Sequence, residues 1–226
     1  MNTMSWNAGP LIAFDTETTG TAPTSDRIVS AAIVDDSGAT TWLIDPGTEI
    51  PTAASAVHGI TTQHAREHGR EPRQALAEIG EALTNAADKE IPVVVYRAGF
   101  DLTLLACELG RHELPQAPWE ALRVVDPYVL DKKCDRYRRG KRTLSDVCAH
   151  YGVELSEAHS AAADARAALS LARAVAEADS RISGMNAAEL HLAQAGWHAD
   201  DAESLEAFFR RKGRDEVVDR RWPLQR

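Results

Sequence analysis

The sequence predicts an α/β protein, a mixed sheet with helices on both sides. Three observations carry this. Arg27–Val34 and Thr40–Ile44 are apolar runs joined by the polar turn Asp35-Asp36-Ser37-Gly38, the pattern of an antiparallel hairpin. Leu11–Phe14 and Pro92–Tyr96 are short and continuously apolar, as strands buried on both faces are. Helical periodicities then alternate with the later strands, so helices must cover the sheet.

Taken in order, Leu11–Phe14 is a buried strand that ends in a loop at Asp15, and the hairpin supplies the second and third strands. Residues 51–68 read as irregular with a short helix. Glu71–Ala87 is a helix with Pro72 in its first turn and Leu76, Ile79 and Leu83 along one side. Pro92–Tyr96 is the fourth strand, and Phe100–Leu109 a helix stopped by Gly110. Arg123–Val125 is a short fifth strand, and Thr143–Tyr151 a helix ended by Gly152. Ser160–Glu177 is an Ala-rich helix with Ser160 as N-cap. Ala187–Arg211 is a last helix, opened by a capping box of Asn186 and Glu189, and expected to pack on the main body.

Composition narrows the function classes. The 226 residues are 44% apolar and 26% charged, enough for one well-cored domain with an appendage. No apolar run approaches the roughly 20 residues that span a bilayer, and the N-terminus lacks a signal-peptide pattern. Three cysteines without a C-x-x-C pair suit a reducing, cytoplasmic setting. A net charge of −9 argues against binding nucleic acid by bulk attraction, although residues 131–142, DKKCDRYRRGKR, hold seven basic and two acidic residues. A local patch of that kind can meet phosphates within an acidic whole.

The chemistry concentrates in three places. Asp15 and Glu17 stand at i, i+2 in Phe14-Asp15-Thr16-Glu17-Thr18-Thr19-Gly20, which on a strand puts both carboxylates on one face. Side-by-side carboxylates repel unless a cation joins them, and hard oxygen ligands suit Mg²⁺ or Mn²⁺. Asp101 follows the Pro92–Tyr96 strand, at the carboxyl end where open α/β sheets place their sites. His159 and Asp164 open the Ala-rich helix. On one continuous helix they would lie about 140° apart, so His159 belongs in the loop before the N-cap, with Asp164 in the first turns.

Four acids and a histidine so arranged resemble the DEDDh 3′–5′ exonucleases, the family that includes the proofreading epsilon subunit of bacterial DNA polymerase. The first motif matches throughout, and His159 and Asp164 keep the expected spacing. Val57-His58-Gly59-Ile60-Thr61, after Asp45-Pro46-Gly47, is similar to a segment of the epsilon-like members. The resemblance covers roughly residues 10–178 and implies an RNase H-like three-layer fold with a five-stranded mixed sheet. It would occupy residues 10–180, with residues 181–226 a helical extension. It further implies two Mg²⁺ or Mn²⁺ ions held by Asp15, Glu17, Asp101 and Asp164, with His159 as general base, a task suited to histidine chemistry. Thr16, Thr18, His58 and Phe100 would line the terminal nucleotide of a single-stranded polymer with a free 3′ end.

One motif departs from the family pattern. His-Asn-Ala-x-Phe-Asp reads here Tyr96-Arg97-Ala98-Gly99-Phe100-Asp101. An inward Arg97 would oppose the metals, whereas an outward one would reach a substrate phosphate. Arg138 and Arg139, in the basic stretch, are the expected contacts to the strand upstream. The expected product is a 5′-mononucleotide from DNA, with RNA trimming and a weakened binding module as alternatives. A proofreading role would need a separate polymerase chain. His64-Ala65-Arg66-Glu67-His68 matches H-x-x-E-H, but so short a segment between glycine and proline reads better as a polar surface helix than as a zinc peptidase. Most of the five tryptophans read as packing rather than base-stacking residues.

Overall fold

The computed structural model describes residues 5–156 and 159–225. Its single sheet has the order β3-β2-β1-β4-β5, from β1 (Ile12–Thr18), β2 (Ile28–Asp35), β3 (Gly38–Leu43), β4 (Val93–Val94) and β5 (Val124–Val125). The pairs β1/β2 and β2/β3 are antiparallel, while β1/β4 and β4/β5 are parallel, so the sheet is mixed. The β2–β3 turn is tight because Asp35 Oδ1 accepts from the Ser37 and Gly38 backbone N–H groups and the Ser37 hydroxyl. β1 does not stop at Asp15 but runs on to Thr18. The backbone of its polar half pairs with β2 (Asp15 with Ala32, Glu17 with Ser30) until a bulge at Glu17/Thr18.

Nine helices are described: α1 (Thr52–His58), α2 (Thr62–His68), α3 (Pro72–Asp88), α4 (Ala98–Arg111), α5 (Pro127–Cys134), α6 (Leu144–Tyr151), α7 (Ala161–Ala178), α8 (Ser180–Ser183) and α9 (Ala187–Arg211). Residues 51–68 therefore form two helices, separated at Gly59, whose φ of 75° suits a residue without Cβ. α4 passes through Gly110 to Arg111, since one interior glycine costs only ~1 kcal/mol. The first part of the basic stretch is helical too, because Asp126 accepts from Tyr128 N–H as N-cap and Pro127 fits the first turn. α7 starts after Ser160, whose side chain makes no capping bond, and α9 opens with both halves of the Asn186–Glu189 box. No helix is long and apolar enough to cross a membrane.

Strand parity divides the core. Phe14, Ala31, Val93, Val95 and Val124 pack with α3 and α4 on one face of the sheet. Leu11, Ala13, Ala32, Val94 and Val125 pack with α6 and α7 on the other. The alanines buried along α7 let its backbone lie close to the sheet.

The open edge of β5 is closed by side chains of α9. Val124 N–H donates to His191 Nδ1 (3.1 Å), Gln194 Nε2 donates to Val124 O (2.9 Å), and Asp126 N–H donates to Gln194 Oε1 (2.7 Å). Fully buried Gln194 thus does for β5 what a sixth strand would do.

Candidate active site

The same parity builds the acidic centre. Leu11 and Ala13 face α7, and continuing the alternation puts Asp15 and Glu17 on that side as well. Asp164, in the first turns of α7, meets them there: one carboxylate oxygen from each of Asp15, Glu17 and Asp164 lies within 4.8 Å of the others. Asp101 comes from the opposite side, in the first turn of α4. Thr16, the residue of opposite parity, reaches that side and donates its hydroxyl to Asp101 Oδ1 at 2.5 Å. Thr16 therefore acts as a pin between β1 and the fourth acid. Gly20 closes the motif where the Asp26 carboxylate, held by the Thr19 hydroxyl and Ala22 N–H, would lie 2.6 Å from any added Cβ.

Burial raises the pKa of all four acids, and their neighbours add to it at Asp15 and Glu17. Burial lifts Asp15 well above the ordinary carboxylate value, and Asp101, Asp164 and Glu17 add to it. Burial and then Asp164 and Asp101 push Glu17 up to about 7. Asp101 also rises to about 7 by burial, despite the Thr16 hydrogen bond that opposes it. Burial raises Asp164, and its Oδ1 is buried without a hydrogen-bond partner. Among the described residues no lysine or arginine contributes to the shifts of these four acids. A half-buried cluster of hard oxygen donors with an orphaned oxygen, and with only His159 as a positive neighbour, fits a divalent metal site.

The remaining sequence-derived residues fall at different distances from this centre. His159 lies in the loop before α7 at φ 72°, exposed, with its backbone N–H donating to Asp164 Oδ2 (3.2 Å). His58 ends α1. Its Nδ1 accepts from Ile60 N–H, its buried Nε2 lacks a well-formed hydrogen bond, and burial lowers its pKa. Thr18 donates its hydroxyl to Gly20 O. Phe100 is half-buried at the start of α4 and lines a cleft with Arg97 and Tyr128.

Arg97 is not turned inward. It caps α4 at φ 58°, its guanidinium lies 4.6 Å from the Tyr128 ring centroid, and its backbone N–H donates to Asp126 Oδ1. Asparagine, usual here in the family pattern, tolerates this left-handed conformation better than arginine. Arg138, expected as a contact to the strand upstream, pairs together with Arg142 with fully buried Asp131. The pairing was hidden because Asp131 reads as one acid in a solvated basic run. Arg139 is exposed. His64 and His68 stack their rings at 4.8 Å on the surface of α2 without a third metal-ligating group among the described residues.

Two residues escaped sequence reading. Asp126 is fully buried and accepts from the N–H groups of Arg97, Ala98 and Tyr128, fixing the turn that launches Asp101. An Asp-Pro pair directly after a strand could have marked it. Gln194 had no such signal, since a glutamine on a long helix reads as solvated.

Comparison with known proteins agrees with this geometry. Residues 12–172 match the family model described as Exonuclease, of the RNase T type. A DNA polymerase III subunit epsilon-like protein of Rhodobacter capsulatus is 37% identical over 102 residues, which are 42% of this chain and 14% of the relative. E. coli exonuclease I, solved with a dT13 oligonucleotide, superposes with a TM-score of 0.65 at 22% identity, covering 77% of this chain and 42% of that one. Exonuclease I from Methylocaldum szegediense gives 0.63 at 22% identity, over 77% and 42% of the two chains. The chain thus spans well under half the length of these proteins, and at such identities the structures speak to the fold alone. On the family match over most of its length, the RNase H-like sheet and its acidic centre, the chain belongs to the DEDDh exonuclease family.

Proposed function

We propose that the chain is a metal-dependent 3′–5′ exonuclease that removes 5′-mononucleotides from single-stranded nucleic acid, DNA being its preferred polymer. The observation that carries this reading is the cluster of Asp15, Glu17 and Asp164, beside which the described residues place His159 but no lysine or arginine. These three would hold one Mg²⁺ or Mn²⁺ ion, and Asp15 with Asp101 a second. Bound there, the ions would neutralise the carboxylates and stabilise charge on the scissile phosphate.

The chain's own groups do the rest. Thr16 holds Asp101 in place from across the strand. His159 takes the proton of the attacking water as the phosphorus–O3′ bond breaks, and its exposed, pre-helix position leaves the ring free to do so. Thr18 and His58 border the terminal nucleotide, with Phe100 against its base or sugar. The preference for DNA draws on the epsilon-like name of the Rhodobacter relative and on the oligonucleotide bound to E. coli exonuclease I. That relative's name also favours a separate DNA polymerase chain as partner, which co-purification with a polymerase would test.

The deciding experiment is a time course on 5′-labelled DNA and RNA of one sequence, with Mg²⁺, Mn²⁺ or EDTA, and Asp15→Asn as control. A metal-dependent ladder shortening from the 3′ end, lost in the variant, supports the reading, and the faster polymer names the substrate. Intact oligonucleotides in every lane would replace it with a binding module of the same fold.

A further inference from the structure

The acidic centre lies at the carboxyl edge of β1 and β4, and two clefts lie along α5 on the side of α4 and α9. One cleft of about 250 Å³ holds Arg97, Phe100, Tyr128 and Trp222. A second, of about 130 Å³ between α5 and α9, holds Lys133, Arg136 and Trp197. Tyr128 and His198 line both, so the two clefts are neighbours, and Phe100, which precedes Asp101 in the chain, lines the first.

The chemistry of these clefts alternates flat rings and cations. The Arg97 guanidinium sits over Tyr128, and the Lys133 ammonium lies 5.0 Å from the Trp197 ring centroid. Arg97 donates weakly to the Arg142 carbonyl, and Arg136 donates to the Ser204 hydroxyl. Among the described residues none of these three cations has an acidic partner, in contrast to Lys132, which pairs with Asp201. Asp126, Asp200 and Asp201 are the acids of the two clefts; Asp201 is engaged by Lys132 and Asp126 is buried beneath backbone N–H donors, which leaves three unpaired cations facing Asp200 at the exposed rim. Trp197, His198, Asp200 and Asp201 of this lining come from α9, which lies outside the matched residues 12–172.

We propose that these two clefts form a groove that binds the single-stranded nucleic acid 5′ to the nucleotide being removed, an inference that rests on the exonuclease reading above. Backbone phosphates lie against Arg97, Lys133 and Arg136, and bases stack on Tyr128 and Trp197. Such pairing of cations with ring faces tolerates any base, as a nuclease acting along a strand requires. The role expected of Arg138 and Arg139 thereby passes to cations on the other side of α5.

The test compares kcat/KM for a deoxy-trimer and a deoxy-dodecamer in the parent, Lys133→Glu/Arg136→Glu, Trp197→Ala and Lys89→Glu, the last at the remote end of α3. The dodecamer-to-trimer ratio should fall about tenfold in the double variant and in Trp197→Ala, a loss typical of one stacked base or two phosphate contacts. It should be unchanged in Lys89→Glu. Removing two phosphate contacts should also reduce the slope of log K against log salt by about 1.4. Ratios equal to the parent's in the double variant, whose exposed positions do not test folding, would overturn the groove. If the parent cleaves neither oligonucleotide, anisotropy of the labelled dodecamer decides separately. Weaker binding by the double variant keeps the groove while the exonuclease reading fails, and equal binding sinks both.

Discussion

Two acidic places in this protein, one fully buried and one half-buried, have opposite fates. Asp131 on α5 is fully buried, and the chain itself supplies Arg138 and Arg142 to pair with it. One oxygen of each of Asp15, Glu17 and Asp164 lies within 4.8 Å of the others, and among the described residues His159 is beside them but no lysine or arginine. An orphaned oxygen does not separate the two, because Asp131 Oδ1 and Asp164 Oδ1 both lack partners. The two arginines on Asp131 do, since the three clustered acids have only the exposed His159 beside them. A carboxylate neutralised from within is part of the scaffold, whereas carboxylates raised by burial and by one another take up protons or an external cation.

The comparison is broken most directly at Asp15. Asp15→Asn should lower exonuclease activity by about 10³-fold or more, ~4 kcal/mol of barrier, yet raise Tm in EDTA because a repelling charge is gone. Activity within tenfold of the parent, or a lower Tm in EDTA, would show that the cluster is structural. At the other site the sign reverses. Asp131→Asn leaves two guanidiniums facing a buried neutral group and should cost ~3–5 kcal/mol, or about 6–20 °C in Tm, with or without metal. A shift under 2–4 °C, the equivalent of ~1 kcal/mol, would remove Asp131 from the scaffold.

A smaller effect is the pH dependence of the metal-free protein. Glu17 and Asp101 rise from 4.5 and 3.8 to about 7 on folding, so between these values the folded state binds more protons than the unfolded one. Unfolding free energy from this cluster is then greatest at acid pH, falls as pH rises toward about 7, and levels off above it. Thermal melts in EDTA should show this decline relative to melts in Mn²⁺, where the ion takes the protons' place. Parallel curves would mean that no metal binds the cluster. Smallest of all, Arg97→Asn should leave Mn²⁺ affinity unchanged and raise Tm by about 2–4 °C, reflecting ~1 kcal/mol of relieved left-handed strain. Tighter Mn²⁺ binding in the variant would instead put the guanidinium near the metals.

Much of the centre was legible before any coordinates. Asp15 and Glu17 share a face because of strand period, and Asp164 sits in the opening turns of α7 because four small residues after His159 begin a strong helix. The end of β1 was misread because polar side chains hide a strand whose backbone pairs regardless. Gly110 was misread because a long buried face carries α4 past one weak position. Helix α5 was missed because its buried face is short and its charges dominate the reading.

Sequence by itself determined which residues could form an acidic centre, since periodicity and motif order act over a few residues and repeat along the chain. Tertiary structure alone decided which charges are compensated. It set Arg138 on Asp131, turned Arg97 onto Tyr128, and brought Gln194 to the edge of β5. The physical reason is range. Strand and helix periods are written in neighbouring residues, but a buried charge or an open sheet edge is satisfied by whichever distant group folding delivers to it, and its cost or gain depends on that partner.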